Sequence, residues 1–209
     1  MAVRRRHATG YTLIELMAVL AIASALLVIA IPMFRTQVQN SRMSAAATDL
    51  LSTFMSAKSE AVGRNYPVTV CISNEDADGC ADKDAVVCDN SEDGDDRTRG
   101  WANGWLTFVD VNDDADLDAG EDILQIHQPL HEQESPRFPG TMTACASGKL
   151  ANSVTYRPNG ITDLSGTEKL VICYNEKIGE SSRVLVVSIL GKVSILKAAE
   201  TGEPSCQPE

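Results

Sequence analysis

Basic residues are scarce in this 209-residue sequence, which has 18 lysines and arginines against 29 aspartates and glutamates. The formal net charge of −11 argues against general affinity for nucleic acids, because phosphates are neutralised by basic patches. The sequence also lacks a phosphate-binding Walker loop, a recognisable Ser/His/Asp arrangement and a paired-carboxylate signature. We therefore do not expect an enzyme.

One apolar run near the N-terminus contains a single charge. Between Tyr11 and Ile31 the only charged residue is Glu15, and about 20 apolar residues suffice to cross a bilayer as a helix. The run is longer than the apolar core of a signal peptide, and no A-x-A-like cleavage site follows it. Three arginines precede it at positions 4–6, so the positive-inside rule predicts a cytoplasmic N-terminus and an exported remainder.

The stretch GYTLIEL, residues 10–16, resembles the type III signal of type IV pilins and type II secretion pseudopilins. The resemblance implies that prepilin peptidase cleaves after Gly10 and that Tyr11 is then N-methylated, although the family usually has Phe or Met at this position. It also implies that Glu15 meets the N-terminal ammonium of a neighbouring subunit in a filament. The implied partners are other pilins or pseudopilins, the peptidase and the inner membrane.

All six cysteines lie after the membrane segment, at Cys71, Cys80, Cys88, Cys145, Cys173 and Cys206. An even count in an exported domain predicts disulfides. A metal site is the poorer interpretation, because no C-x2-C pair is present. The sequence does not choose among the pairings, and we prefer Cys71 with Cys80 and Cys173 with Cys206.

A long helix is predicted from about Tyr11 to Arg64, with Pro32 removing one backbone donor and kinking it. Past Pro32, apolar residues recur at spacings of three and four and predict one face that docks on a sheet; they are Ala47, Leu50, Phe54, Ala57 and Ala61. The predicted organisation is a leader (1–10), a transmembrane helix (11–31), its amphipathic continuation (32–65) and a periplasmic or extracellular β-rich domain (66–209) with acidic loops at 73–100 and 110–122.

Short β-branched segments separated by turn residues predict an antiparallel β domain after the helix, α+β in class. The first predicted strand lies in the segment 65–73, where Val68, Val70 and Ile72 alternate with polar or small residues. Further strands are predicted at 105–111, 122–128, 152–157, 168–175, 183–190 and 192–196. The last two flank Gly191 and predict a hairpin. A long helix on such a domain is the pilin fold that the N-terminal resemblance implies.

Segments beyond the N-terminus are similar to the FimT/GspH-like subfamily of minor pilins and pseudopilins, notably SAKSEAVGRN and GWANGWLTFVDVNDDADLDAGEDILQ. The resemblance implies a minor pilin of a type IV pilus, anchored in the inner membrane before assembly. An H-type pseudopilin of a type II secretion system is expected to show the same sequence features, so it is the alternative hypothesis. A third hypothesis is a DNA-binding minor pilin of natural transformation.

The DNA hypothesis depends on basic residues near the predicted hairpin. Some relatives bind DNA around a G-R-x-R pattern, and here only Lys192 matches in charge, with Arg183 and Lys197 as further members of a patch. Without the leader the chain has 15 basic against 29 acidic side chains, a net charge of −14. DNA is therefore not a favoured partner.

The stretch DVNDDADLDAGE resembles an EF-hand-type calcium loop in its spacing. Its candidate ligands are Asp110, Asn112, Asp114, Asp116, Asp118 and Glu121. Ala115 stands where the motif has glycine, and the flanking segments are predicted strands rather than helices. A solvated acidic loop is the alternative. The sequence indicates no required cofactor, with Ca²⁺ as the candidate ligand of this loop.

Overall fold

The computed structural model describes residues 11–73, 100–130, 142–146, 148–174 and 182–198. These ranges contain one long helix, eight strands and two 3₁₀ turns, at Trp101–Asn103 and Gly148–Ala151. The helix α1 covers Leu13–Arg64, and the strands are β1 Val68–Ile72, β2 Trp105–Val109, β3 Ile123–His127, β4 Met142–Ala146, β5 Ser153–Tyr156, β6 Glu168–Tyr174, β7 Arg183–Val187 and β8 Val193–Lys197.

The chain divides into two compact units, Met1–Val38 and Gln39–Glu209. In the first unit the chain is helical from Leu13, and every side chain described between Tyr11 and Gln37 is exposed. By length and composition the helix is apolar enough to cross a membrane.

The part of α1 in the second unit forms one wall of the hydrophobic core. The predicted stripe of five residues is completely buried, and Met43 and Ala46 extend it by one turn. Ala46 and Ala47 precede the two large side chains of this face, Leu50 and Phe54, and Ala57 and Ala61 follow them. Glu60 and Arg64 form an i,i+4 ion pair on the solvent side, at 2.6 Å.

Two four-stranded antiparallel sheets complete the domain, with strand orders β3-β2-β1-β5 and β4-β6-β7-β8. In the first sheet Val68 of β1 lies opposite both Val109 of β2 and Tyr156 of β5. In the second sheet β7 and β8 form the predicted hairpin. The α+β architecture with a long N-terminal helix is therefore confirmed.

The core lies between α1 and the inner faces of both sheets. Trp101 meets Phe54 edge-on, with ring centroids 5.5 Å apart, and its Nε1 donates to the Leu150 carbonyl at 2.8 Å. Trp105 is also fully buried, and its Nε1 donates to Thr53 Oγ1 at 3.0 Å. Both tryptophans thus belong to the core, where each indole N–H has a partner.

One strand was not predicted. β4, with the sequence MTACA, has few β-branched residues, so strand propensity did not indicate it. It pairs with β6, placing Met142 opposite Tyr174, and it is fully buried. Burial between the helix and a neighbouring strand outweighs the weak propensity of its residues.

Candidate functional site

The helix α1 begins with a side-chain cap that the sequence analysis missed. Thr12 Oγ1 accepts a hydrogen bond from the Glu15 N–H at 3.3 Å, and the Thr12 carbonyl accepts one from Leu16 N–H. The sequence T-x-x-E is the signature of a capping box, which was the available signal. Tyr11 therefore precedes the helix and is almost fully exposed, at 87%.

Glu15 lies in the first turn of α1 and is surrounded by exposed apolar side chains. Its negative charge is favoured there by the positive end of the helix dipole. Within the described residues no basic side chain pairs with it. Gly10 lies outside these residues, as does the side chain of Pro32, so the cleavage site and the kink stay predictions.

The acidic loop after β2 is held at its base by Asp110, whose side chain is fully buried. Its Oδ2 accepts hydrogen bonds from Thr69 Oγ1 at 2.8 Å and from Ala115 N–H at 3.0 Å, and its Oδ1 accepts one from Asp114 N–H at 3.2 Å. Thr155 donates in turn to Thr69 at 2.7 Å. These hydrogen bonds fasten the base of the loop to the first sheet.

Glu121 closes the other end of the loop, because its two carboxylate oxygens accept from Val111 N–H at 2.8 Å and Asp118 N–H at 2.9 Å. The Asn112 amide donates to the carboxylates of Asp114 and Asp118. No group of three or more His, Cys, Asp or Glu side chains in the described residues is arranged to hold a metal ion.

Ala115 adopts φ 66°, the left-handed conformation that the calcium-loop motif provides with glycine. The backbone thus makes the sharp turn despite the substitution. Asp116 is exposed, and its N–H donates to Asp114 Oδ1 at 2.9 Å. Calcium binding by this loop stays a prediction, since the backbone turn fits the motif while the carboxylates mainly accept backbone N–H groups.

The three basic residues of the predicted DNA patch do not converge. Arg183 lies directly opposite Lys197 on the β7–β8 ladder, and its guanidinium donates to Ser44 Oγ of α1 at 3.1 Å. Lys192 precedes β8 at the other end of the hairpin, about 16 Å from Lys197 along an extended strand. The predicted patch is therefore divided between the two ends of the hairpin.

Three of the six cysteines are described, and Cys71, Cys145 and Cys173 each form a disulfide. All three are nearly inaccessible to solvent. The others, Cys80, Cys88 and Cys206, lie outside the described residues. The preferred pairs therefore stay predictions.

The turn between β7 and β8 is tied to α1 by Lys58. Its Nζ donates to the carbonyls of Leu190 and Gly191 at 3.1 and 3.2 Å, a contact between residues more than 130 positions apart. Tyr156 packs beside the same turn, and burial, with a smaller contribution from Asp163, raises the pKa of its phenol. No periodic pattern in the sequence indicates such a contact.

The fold and the exposed apolar helix with its early glutamate define a pilin-type protein. A prokaryotic N-terminal methylation motif matches residues 5–31. The model of the type II transport protein GspH matches residues 46–191, more than half of the chain, and the chain belongs to this family. It is a minor pilin or pseudopilin of the GspH/FimT-like kind, from a type IV pilus or a type II secretion system.

Among solved structures the chain is similar to the type IV minor pilin FimU of Pseudomonas aeruginosa. One crystal form matches with a TM-score of 0.54 and 20% identity, over 79% of this chain and 96% of FimU. A second form matches with a TM-score of 0.48 and 18% identity, over 78% and 98%. No curated protein sequence matches the chain. The family and fold are those of structural pilins rather than enzymes.

Proposed function

We propose that this protein is a minor pilin that joins or primes the assembly of a type IV pilus through its N-terminal helix. The observation that carries the proposal is the start of α1, where Thr12 caps the helix and the carboxylate of Glu15 lies in an exposed apolar surface. Such a surface is stable in a bilayer or when covered by other helices, but not in water. A filament supplies the second environment.

Glu15 is the residue that we expect to set the register of the subunit. A carboxylate in the apolar part of a bilayer costs roughly 3 kcal/mol when it has no partner. Processing by prepilin peptidase would leave an N-terminal ammonium on each neighbouring subunit, as cleavage after Gly10 would at Tyr11 here, and the neighbour's cation would pair with Glu15 in a low dielectric. The arginines at positions 4–6 would keep the N-terminus in the cytoplasm until cleavage.

Processing is tested first, by intact mass measurement and N-terminal sequencing of the protein extracted from membranes. We expect a chain that begins at N-methylated Tyr11. A chain that still begins at Met1 or Ala2 in cells with active prepilin peptidase would contradict the filament role.

Assembly is tested with Glu15→Ala in the full chain. We expect normal export and cleavage but fewer pili, because the unpaired ammonium of the neighbour is left in an apolar environment. Ser24→Ala is the matched control, since Ser24 only donates to the Ala21 carbonyl within the same apolar helix. Normal pilus numbers in the Glu15→Ala strain would refute the role given to this residue.

The family match favours a second candidate, an H-type pseudopilin of a type II secretion system. The two candidates are distinguished by deleting the protein and measuring pili and secreted enzymes in the same strain. Loss of pili with intact secretion supports the pilus, whereas the reverse result supports the pseudopilin. The DNA-binding alternative is removed if gel shifts with the full chain show no retardation at low salt.

A further inference from the structure

The turn between β7 and β8 carries an unusually exposed leucine. In the described residues of the second unit, Leu190 is the most exposed large apolar side chain, at 70%, and Ile189 beside it is 43% exposed. A single exposed apolar residue needs no explanation. Two adjacent ones at the tip of a hairpin in a strongly acidic chain indicate a surface that is covered by a partner.

This turn is held rigidly by its backbone. Within it, Gly191 N–H donates to the Ser188 carbonyl at 2.8 Å, and Ser188 N–H donates to the Lys192 carbonyl at 3.0 Å. From outside, Thr162 N–H donates to the Ile189 carbonyl at 2.8 Å. A rigid backbone lowers the entropy lost on binding, so Leu190 is presented to a partner at little cost.

The turn lies beside the C-terminal part of α1. Gly160 lies between the turn and the helix. A Cβ added at Gly160 would lie 3.7 Å from Cγ2 of Val62 in α1, and a Cβ added at Gly191 in the turn would lie 2.3 Å from the Gly160 carbonyl oxygen. Val62 is itself 53% exposed. We define Val62, Ile189 and Leu190 as the Leu190 face.

We propose that the Leu190 face receives the apolar N-terminal helix of a neighbouring pilin-type subunit. This inference rests on the proposed function. The chain itself shows the chemistry of the occupant, since its side chains in 11–30 and 33–34 are exposed and mostly apolar and must be covered once the helix leaves a bilayer. The Leu190 face joins the exposed side of α1, so a neighbour packed along that helix reaches the turn.

The test compares Leu190→Asp with Val111→Asp in the full chain, expressed in the strain that assembles the filament. Val111 is the matched control, because it is 60% exposed but lies in the acidic loop. We expect Leu190→Asp to melt at the wild-type temperature while its incorporation into filaments falls by at least about tenfold, as expected for an apolar side chain that is buried on assembly. Val111→Asp should be incorporated normally.

The outcomes separate this inference from the proposed function. If Glu15→Ala reduces incorporation and Leu190→Asp does not, the inference is overturned while the filament role stands. If neither variant reduces incorporation, both are overturned. A photo-reactive amino acid at position 190 should cross-link to the N-terminal helix of a pilin-type subunit in intact filaments, and a cross-link to any other segment or partner would also overturn the inference.

Discussion

Gly191 in the β7–β8 turn should be difficult to replace. The stability of Gly191→Ala measures how closely this turn packs against its neighbours. The residue has φ 67°, so an added Cβ is strained whatever space surrounds it. The space is also lacking, since the Cβ would lie 2.3 Å from the Gly160 carbonyl oxygen and 3.1 Å from Lys58 Nζ. The lysine side chain is able to move, but the carbonyl belongs to another turn of the backbone.

The expected loss of stability follows from these two effects. A left-handed backbone costs an alanine about 1–2 kcal/mol. Forcing two packed turns apart adds about 1–3 kcal/mol, as in other overpacked sites. The sum, roughly 2–5 kcal/mol, should lower the melting temperature of a domain of this size by on the order of 10 °C.

Thermal unfolding of the full chain in detergent, followed by circular dichroism, provides the measurement. Gly63→Ala is the control, because nothing lies within 4 Å of its added Cβ and it sits in α1. Alanine is the better helix former by about 0.5–1 kcal/mol, so this variant should melt slightly higher. A Gly191→Ala protein with the melting temperature of the wild type would refute the close approach of the two turns.

Four further predictions concern the core and the acidic loop. Phe54→Ala should reduce the free energy of unfolding by about 3–5 kcal/mol in denaturant titrations, whereas Met55→Ala, exposed on the same helix, should change it by less than about 0.5 kcal/mol. Among the described residues the buried Tyr156 hydroxyl has no hydrogen-bond partner, so Tyr156→Phe should not destabilise the protein at neutral pH; a loss above about 1 kcal/mol would contradict this. The pKa of Tyr156 is raised above its ordinary value of 10.0, so the unfolded state loses this proton first as pH rises, and stability should fall above pH 10 in the wild type more than in Tyr156→Phe melts. Millimolar Ca²⁺ should release heat in calorimetry and raise the melting temperature, more so in Ala115→Gly, where the left-handed strain is relieved, and not in Glu121→Gln; no heat and no melting shift in the wild type would end the calcium prediction.

The helix could be predicted because its buried residues repeat with the helical period, and most strands because short segments are rich in β-branched residues, although strands such as β1 are buried on both faces. Leu50 and Phe54 recur at helical spacing, and Val68 and Val70 alternate as a strand should; all four are fully buried. β4 could not be predicted, since its strand conformation depends on β6, a segment more than 20 residues later in the chain.

The candidate site residues also fall into two groups, those that local sequence could predict and those that depend on contacts between distant segments. The signal around Glu15 is local, so it could be recognised in the sequence. At Ala115 the sequence departs from the calcium-loop motif, yet the backbone there has the left-handed conformation for which the motif has glycine. The basic residues were grouped by their closeness in sequence, yet the antiparallel register puts Arg183 beside Lys197 and leaves Lys192 at the far end. Likewise, nothing near Lys58 in the sequence shows that its amine holds the Leu190 carbonyl.

The way in which the acidic loop is fastened has a practical consequence. Asp110 and Glu121 secure its two ends, while Ala119 and Gly120 between them are exposed, and nothing lies within 4 Å of a Cβ added at Gly120. Exposed loop tips of this kind tolerate insertions. A short epitope or a dye-labelled cysteine peptide placed between Ala119 and Gly120 would leave the sheet intact and allow single subunits to be located along a filament by microscopy.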